Sequence, residues 1–319
     1  MDQGLPAVPG PKLYPFKDGG GPLEIKFVQY IGEGLHAYTW TVLINGKLYA
    51  LKVFNFYERY TIRKRWKVKV SKEEEVAYFD PFNCECRAYG RIREKRLEQY
   101  IAKCYGYIML ARNDFEPLWK NPKLWEEYLG YREEHKGRPF PALVKEYIET
   151  DPDRYPVLPG RFIYNVRPTN RFFRDAKDAK HLIRGLKQIQ KSGILIRDIN
   201  DGNVFPVNGH LIDFSQAWTV PHPVLVKEKM ENDKIVDVFD GGYLDAHPVD
   251  RLIDKWNHEH DPRLRIWDRC LPNHDYCDEI RHRNDRMNGK LGAKWKFSRK
   301  TCGWYIRPEL YRWKDDDEL

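Results

Sequence analysis

The sequence predicts an α+β protein with two lobes, a β-rich first lobe and a helix-rich second lobe. Three strand-like runs lie between Ile25 and Phe56, and the clearest helical spacing of apolar residues lies at 176–193. We expect a ligand in the cleft between the lobes, where strand ends meet helices. The predicted division is a flexible or meandering lead-in at 1–21, a first lobe with insertions at 22–147, and a second lobe at 148–319.

Composition and charge narrow the class of protein. Apolar residues make up 41% of the chain and aromatic residues 14%, which supports a packed core and argues against wholesale disorder. The net charge of +8, from 55 basic and 47 acidic residues, suits a phosphate-bearing ligand or an acidic partner. It makes nucleic acid a disfavoured partner without excluding it. Six scattered cysteines are typical of reduced thiols, and no apolar run has the length of a signal-peptide core or a membrane span. We therefore expect an intracellular protein, cytoplasmic or nuclear, with no membrane partner.

Strands and one helix make up the predicted first lobe. The runs "IKFVQYIGEG", "AYTWTVLI" and "KLYALKVFNF" read as strands, and Asn45-Gly46 predicts a two-residue hairpin between the last two. Asp80-Pro81 predicts the start of a helix, on which Glu85 shares a face with apolar residues. Two further strands, "IAKCYGYIML" and "PALVKEYIE", flank a polar insertion. The basic run "RKRWKVK" at 63–69 is either a solvated insertion or a nuclear-localisation or nucleic-acid patch.

The predicted second lobe begins with the helix at 176–193, which ends at Ser192-Gly193. A short buried strand "ILI" follows, and Asn208-Gly209 predicts a hairpin between "NVFPV" and "HLIDF". Two more segments, "PVDRLIDKWNH" and "DYCDEIRHRNDRM", read as short helices. A zinc site could in principle be formed by Cys270, His274, Cys277 and His282. Their spacing matches no established zinc-binding pattern, so packed thiols and surface histidines are the favoured interpretation.

Three polar residues stand at the ends of these short strands. The hairpin returns Asp213 to the end at which Asn203 begins, so both side chains can converge on one metal ion. Carboxylate and amide oxygens suit Mg²⁺, and Asp198 would then be left to accept a proton from an attacking hydroxyl. The alternative is that Asp198 and Asn203 cap local loops and that Asp213 is an ordinary strand-end carboxylate.

Several of these segments together resemble the protein-kinase family. "IRDINDGN" resembles the catalytic loop, "DFS" the metal-binding DFG motif, and "IGEGLHAYTW" the glycine-rich loop. "YALKVF" resembles the strand that carries the phosphate-contacting lysine, and "ALVKEYIE" resembles the hinge. The segments occur in the expected order along residues 25 to 220.

The resemblance implies a protein-kinase-like fold with an atypical second lobe, and ATP and Mg²⁺ as cofactors. Lys52 would pair with Glu85, for which Glu73, Glu74 and Glu75 are rivals, and would grip the phosphates. Asp198 would be the catalytic base. The remaining implied roles are ATP contacts by Ile31, Gly32, Glu33, Gly34, Glu146 and Tyr147, and Mg²⁺ ligation by Asn203 and Asp213.

A narrower resemblance is carried by "ECRAYGRI", "IRDI" and "DFSQAWTVPHP". These segments are similar to a fungal family of kinase-like proteins named after a kinetochore complex subunit of the Fta type. The resemblance implies other kinetochore subunits as partners.

Departures from the kinase pattern leave the activity open. Ile196 stands in place of the catalytic-loop histidine, Asn200 in place of a lysine, Ser215 and Ala37 in place of glycines, and Lys145 in place of an uncharged gatekeeper. No APE motif follows residue 220. We therefore consider an ATP/Mg-dependent phosphotransferase, with a protein as one possible substrate, and a catalytically weak or inactive pseudokinase that acts as an interaction module. A small-molecule kinase is a third reading.

Overall fold

The computed structural model describes residues 4–56, 70–111, 135–148, 176–200, 204–205, 209–223, 225, 238–259, 270, 295–298 and 303–306. Within these ranges the protein has a β-rich sheet and four helices, which confirms the α+β class. The helices are α1 (Lys72–Phe79), α2 (Pro81–Glu94), α3 (Ala176–Lys191) and α4 (Val238–Glu259). The longer strands are β1 (Ile25–Glu33), β2 (Ala37–Ile44), β3 (Lys47–Phe54), β4 (Cys104–Leu110) and β5 (Phe140–Lys145). The shorter strands are β6 (Ile194–Leu195), β7 (Val204–Phe205), β8 (His210–Leu211), β9 (Trp218–Thr219), β10 (Trp295–Ser298) and β11 (Gly303–Ile306).

The first five strands form one antiparallel sheet in the order β1-β2-β3-β5-β4. The predicted hairpin is confirmed, because Ile44 pairs with Lys47 across Asn45 and Gly46, which both have positive φ. Positive φ at both central residues is what a two-residue hairpin turn of the primed type requires. One face of the sheet packs on α2, and a second apolar cluster that includes Trp40 and Val53 lies on the same sheet.

Helices α1 and α2 follow each other with separate caps. Ser71 and Glu74 form a capping box at the start of α1. Asp80 caps α2, where its side chain accepts a hydrogen bond from the Asn83 N–H, and Pro81 occupies the first turn as predicted. Most of α2 is buried, so the helix is held by packing on the sheet rather than by its own propensity.

Residues 11–16 lie packed against the fold as an extended segment, where the composition predicts a flexible or meandering lead-in. Leu13 and Phe16 are 3% and 8% exposed. The Phe16 N–H donates to the Tyr107 carbonyl, and the Tyr107 N–H donates to the Tyr14 carbonyl. These bonds attach the segment alongside β4.

The second half supplies α3, α4 and short strand pairs. The predicted apolar stripe of α3 is buried, and it consists of Leu182, Ile183, Leu186 and Ile189. Strand β6 pairs with β9. Strand β7 pairs with β8, as the predicted Asn208-Gly209 hairpin requires, although Asn208 itself lies outside the described residues. The segment "PVDRLIDKWNH" is part of the long helix α4 rather than a short helix of its own.

Several predictions concern residues that the structure does not describe. These are the basic run at 63–69, the insertion at 112–134, the helix-like segment "DYCDEIRHRNDRM", and the zinc candidates His274, Cys277 and His282. Within the described part, Cys84, Cys86, Cys104 and Cys270 are free thiols, and no group of three metal-binding side chains occurs. No helix found among these residues is long and apolar enough to cross a membrane.

Candidate functional site

A buried cluster of charges joins three distant parts of the chain. Lys52 Nζ lies 2.7 Å from Glu85 Oε2 and 2.8 Å from Asp213 Oδ1. The structure thus brings together the strand lysine, the α2 glutamate and the DFS aspartate. The kinase resemblance implies the pairing of Lys52 with Glu85, and the contact of Lys52 with Asp213 is an additional one. The rivals of Glu85 do not take its place, because Glu73, Glu74 and Glu75 lie in the first turn of α1.

Lys145 is the fourth member of the cluster. Its Nζ lies 2.9 Å from Glu85 Oε1 and also donates to the Ile212 carbonyl. Glu85 therefore holds a different lysine on each carboxylate oxygen. The Glu85 side chain has no exposed surface, and the lysine side chains are 10% exposed (Lys52) and 7% exposed (Lys145). Two ammonium groups and two carboxylates compensate one another, as charges taken out of water must. The sequence marks Lys145 as unusual but gives no sign of its partner.

The register of the sheet explains why both lysines reach the same glutamate. Strands β3 and β5 are antiparallel neighbours, with Ala50 paired to Lys145 and Lys52 paired to Leu143. Side chains alternate between the two faces of a strand. Lys52 and Lys145 therefore share the face of Leu143, which is the face that packs on α2.

The two lysines set the charge state of Asp213. Burial alone would raise the pKa of this carboxyl. The ammonium groups of Lys52 and Lys145, together with hydrogen bonds from Lys52 and from the Ser215 N–H, outweigh burial and hold the pKa of Asp213 well below its usual range. Asp213 is consequently a carboxylate at any physiological pH.

Asp198 is tied on both of its carboxylate oxygens. The side-chain amide of Asn200 donates to Oδ1 at 2.9 Å, and that of Gln216 donates to Oδ2 at 3.2 Å. Asn200 stands where the kinase pattern has a lysine, so the charge expected beside Asp198 is replaced by a neutral donor. Gln216 was not singled out by the sequence.

The backbone just before Asp198 is held by α4. The Ile196 and Arg197 N–H groups donate to the two oxygens of Asp245, at 2.7 and 2.6 Å. Arg197 has a positive φ of 70°, which is uncommon for a residue with a side chain, so this turn depends on outside support. Burial raises the pKa of Asp245 to about 6, against the lowering effect of the hydrogen bonds that it accepts. No sequence motif marks Asp245, because its partners lie nearly fifty residues earlier.

The β1–β2 loop closes on the same region. His36 Nδ1 lies 3.2 Å from Ser215 Oγ, and burial lowers the pKa of His36, which keeps the imidazole neutral near pH 7. Gly32 and Gly34 face open space, since a Cβ added at either would meet no atom within 4 Å. The other predicted loop residues are exposed: Ile31 is 42% exposed, and Glu33 accepts a hydrogen bond from the Tyr30 hydroxyl.

The predicted hinge is only partly available to a base. The Glu146 N–H already donates to the Lys103 carbonyl at 2.8 Å, and a Glu146 carboxylate oxygen accepts from the Lys103 N–H. Tyr147 follows in irregular backbone and is half-buried. Any backbone contact that this segment makes to a base therefore excludes the Glu146 N–H.

At the described part of the predicted magnesium site, Asp213 is bound by protein donors. Asp213 Oδ1 accepts from both the Lys52 ammonium and the Ser215 N–H, each at 2.8 Å. The other predicted ligand, Asn203, lies outside the described residues. Mg²⁺ requires several oxygen ligands in octahedral geometry, and an ammonium group at this carboxylate opposes a second cation.

Comparison with known families identifies the chain more closely. The profile of a family described as "Kinetochore Sim4 complex subunit FTA2" matches residues 1–218, which is about two thirds of the chain. The chain belongs to this family. The FTA2-family match contains all four members of the charge cluster, whereas α4 with Asp245 lies beyond it. No curated protein matches the FTA2-family chain. The narrower resemblance seen in the sequence is therefore confirmed, and the wider kinase resemblance stays a prediction.

Proposed function

We propose that the protein is a kinase-shaped subunit of a kinetochore complex in the nucleus, which acts as an interaction module built around a nucleotide pocket. Membership of the FTA2 family supports the kinetochore role and protein partners from that complex. The order and contacts of Lys52, Glu85 and Asp213 support a kinase-like shape, with the predicted lobes meeting at this cluster.

The state of Asp198 carries the proposal that catalysis is weak or absent. A catalytic base must be within hydrogen-bond reach of the hydroxyl that it deprotonates. Both carboxylate oxygens of Asp198 already accept hydrogen bonds from the amides of Asn200 and Gln216. The substituted Asn200 also removes a positive charge that would stabilise a phosphoryl group in transfer.

The nucleotide pocket rests on different observations. Lys52 lies where its ammonium group can bind phosphate oxygens. The space around Gly32 and Gly34 is open, so a ligand can approach the backbone of this loop closely. The β1–β2 loop, Lys52 and Asp213 lie close together, because His36 of the loop contacts Ser215 and Lys52 contacts Asp213.

A thermal-unfolding titration with ATP tests the pocket. ATP at about 100 times its dissociation constant stabilises the fold by roughly 2.7 kcal/mol, which raises Tm by a few degrees. We expect this shift for the wild type and for Lys47→Met, which removes an exposed lysine from the same strand, and no shift for Lys52→Met. Absence of any shift in the wild type rejects the pocket.

An allele replacement tests the interaction module. We expect Asp198→Asn to support assembly of the kinetochore complex and accurate chromosome segregation as well as the wild type does. The measurements are co-purification of the complex subunits and the rate of chromosome loss. If Asp198→Asn assembles normally and yet fails in segregation, the carboxylate has a chemical role and the inactive module is the wrong conclusion.

A phosphotransferase is the second candidate function. It is favoured by the direct contacts of Lys52 with Glu85 and Asp213, since a pure scaffold does not need this buried set of charges. Transfer of labelled phosphate from ATP to a protein or small-molecule acceptor, lost in Asp198→Asn, would establish it.

A further inference from the structure

We propose that this pocket binds a nucleoside triphosphate without a divalent cation, and that Lys145 supplies the positive charge that a metal ion would otherwise bring. The inference rests on the proposed nucleotide pocket and deepens it by stating the ionic form of the ligand. It is carried by the geometry of the four-charge cluster.

The charge balance of the cluster differs from that of a site with a single lysine. Lys52 alone, with Glu85 and Asp213, would leave a net charge of −1, and a triphosphate arriving there would meet excess negative charge. A metal ion normally removes this repulsion by bridging phosphate and carboxylate oxygens. Here Lys145 lies 2.9 Å from Glu85 and brings the sum to zero before any ligand arrives.

Lys145 also releases Lys52 for the ligand. Without Lys145, both oxygens of the fully buried Glu85 would depend on the Lys52 ammonium. With Lys145 on Oε1, Lys52 needs to satisfy only Oε2, and its other N–H groups can face Asp213 and a phosphate oxygen. Glu85 thereby holds Lys52 in place while Lys145 neutralises the Glu85 charge.

Three of the four carboxylate oxygens of Asp213 and Asp198 accept hydrogen bonds from protein donors. Asp213 Oδ1 accepts from Lys52 and Ser215, and the two oxygens of Asp198 accept from Asn200 and Gln216. A divalent cation at any of these three oxygens would have to displace a donor, and at Asp213 it would also approach the Lys52 and Lys145 ammonium groups. Both effects weaken its binding.

The test measures the affinity for ATP by calorimetry, once in excess EDTA and once in Mg²⁺. For the wild type we expect dissociation constants that agree within about threefold, because the charges of the two lysines and two carboxylates sum to zero without a metal ion. Lys145→Met gives the cluster a net charge of −1. We therefore expect the affinity of this variant for ATP to fall by about tenfold or more in EDTA and to recover in Mg²⁺. Lys145→Arg keeps the charge and should retain metal-free binding, and Lys47→Met, on the exposed side of β3, is the control for loss of a lysine.

The outcomes separate this inference from the proposal on which it depends. Wild-type binding that requires Mg²⁺ overturns the inference and leaves the nucleotide pocket standing. Wild-type binding in neither condition rejects the pocket itself. Metal-free binding that survives unchanged in a folded Lys145→Met protein overturns the role of Lys145. Should Lys145→Met fail to fold, the comparison of EDTA with Mg²⁺ on the wild type and on Lys145→Arg still decides the main point.

Discussion

Glu85 is the side chain on which the charge cluster depends. It is fully buried, and it separates two ammonium groups that would otherwise face each other in a low-dielectric interior. No other acidic residue of α1 or α2 takes the place of Glu85. The acidic residues of α1 lie in its first turn, and Glu94 is 52% exposed at the far end of α2. Removal of any one member would therefore leave uncompensated charge on its partners.

Glu85→Gln is expected to lower the free energy of unfolding by about 3–5 kcal/mol, because removing one partner leaves buried charge uncompensated. Glu94→Gln is the matched control on the same helix, and its exposed pair with Arg91 should contribute no more than about 1 kcal/mol. Urea unfolding of the two variants measures the difference. Equal, small losses would show that the two lysines do not rely on Glu85.

His222 gives the stability of the protein a dependence on pH. Burial lowers the pKa of His222 to about 3, while its Nε2–H donates to the Tyr78 carbonyl and its ring stacks on Trp218. The unfolded chain takes up a proton near pH 6.5, but the folded protein does not until about pH 3. The stability that neutral His222 contributes is therefore fully present above pH 6.5 and is lost as the pH falls from 6.5 towards about 3.

We expect His222→Gln to be destabilised at pH 7.5 and to approach the wild type as the pH falls. The gap should close by at most about 1.4 kcal/mol per pH unit below pH 6.5, because the variant has no proton to take up. Unfolding free energies at several pH values between 7.5 and 5 measure this. A gap that is constant with pH would show that His222 titrates alike in the folded and unfolded states.

Helices and strands of the first half follow from local sequence, and their mutual arrangement does not. The alternation of β2 and β3, the Asn45-Gly46 turn and the Asp80-Pro81 cap are all readable because the physics that forms them acts within a few residues. The contact of Lys145 with Glu85 depends instead on the pairing of β3 with β5, strands almost a hundred residues apart. Resemblance to kinases supplied Lys52 and Glu85 but gave Lys145 only as an oddity, because its partner appears only in three dimensions.

The fit of the lead-in against α2 is another feature that local sequence does not reveal. A Cβ at Gly90 would lie 2.7 to 2.9 Å from backbone atoms of Lys12, closer than real contacts allow. Gly90→Ala should therefore destabilise the protein by about 1–3 kcal/mol, although alanine favours an isolated helix. Gly21→Ala, which meets open space, is the control and should be nearly neutral. If Gly90→Ala raises Tm, the lead-in does not pack on α2 in solution.

The two halves of the molecule hold each other at the cluster. From α2, Arg87 donates to the Pro221 carbonyl and Arg91 donates to the Val220 carbonyl, so the helix that carries Glu85 is fixed by the segment that follows Asp213. From the other side, Asp245 of α4 holds the backbone before Asp198. The charge cluster thus lies where α2, the sheet and the second half meet.

Asp245→Asn should loosen this junction at a distance from the charges. An asparagine can accept at one atom only, so one of the Ile196 and Arg197 N–H groups loses its acceptor, and we expect a loss of about 1–3 kcal/mol. Hydrogen exchange at these two amides should accelerate. Asp250→Asn is the matched variant on α4, since Asp250 is equally buried but accepts from the Cys270 N–H, and it should leave exchange at Ile196 and Arg197 unchanged. Equal acceleration in both variants would mean that α4 supports the Asp198 loop through general packing rather than through Asp245.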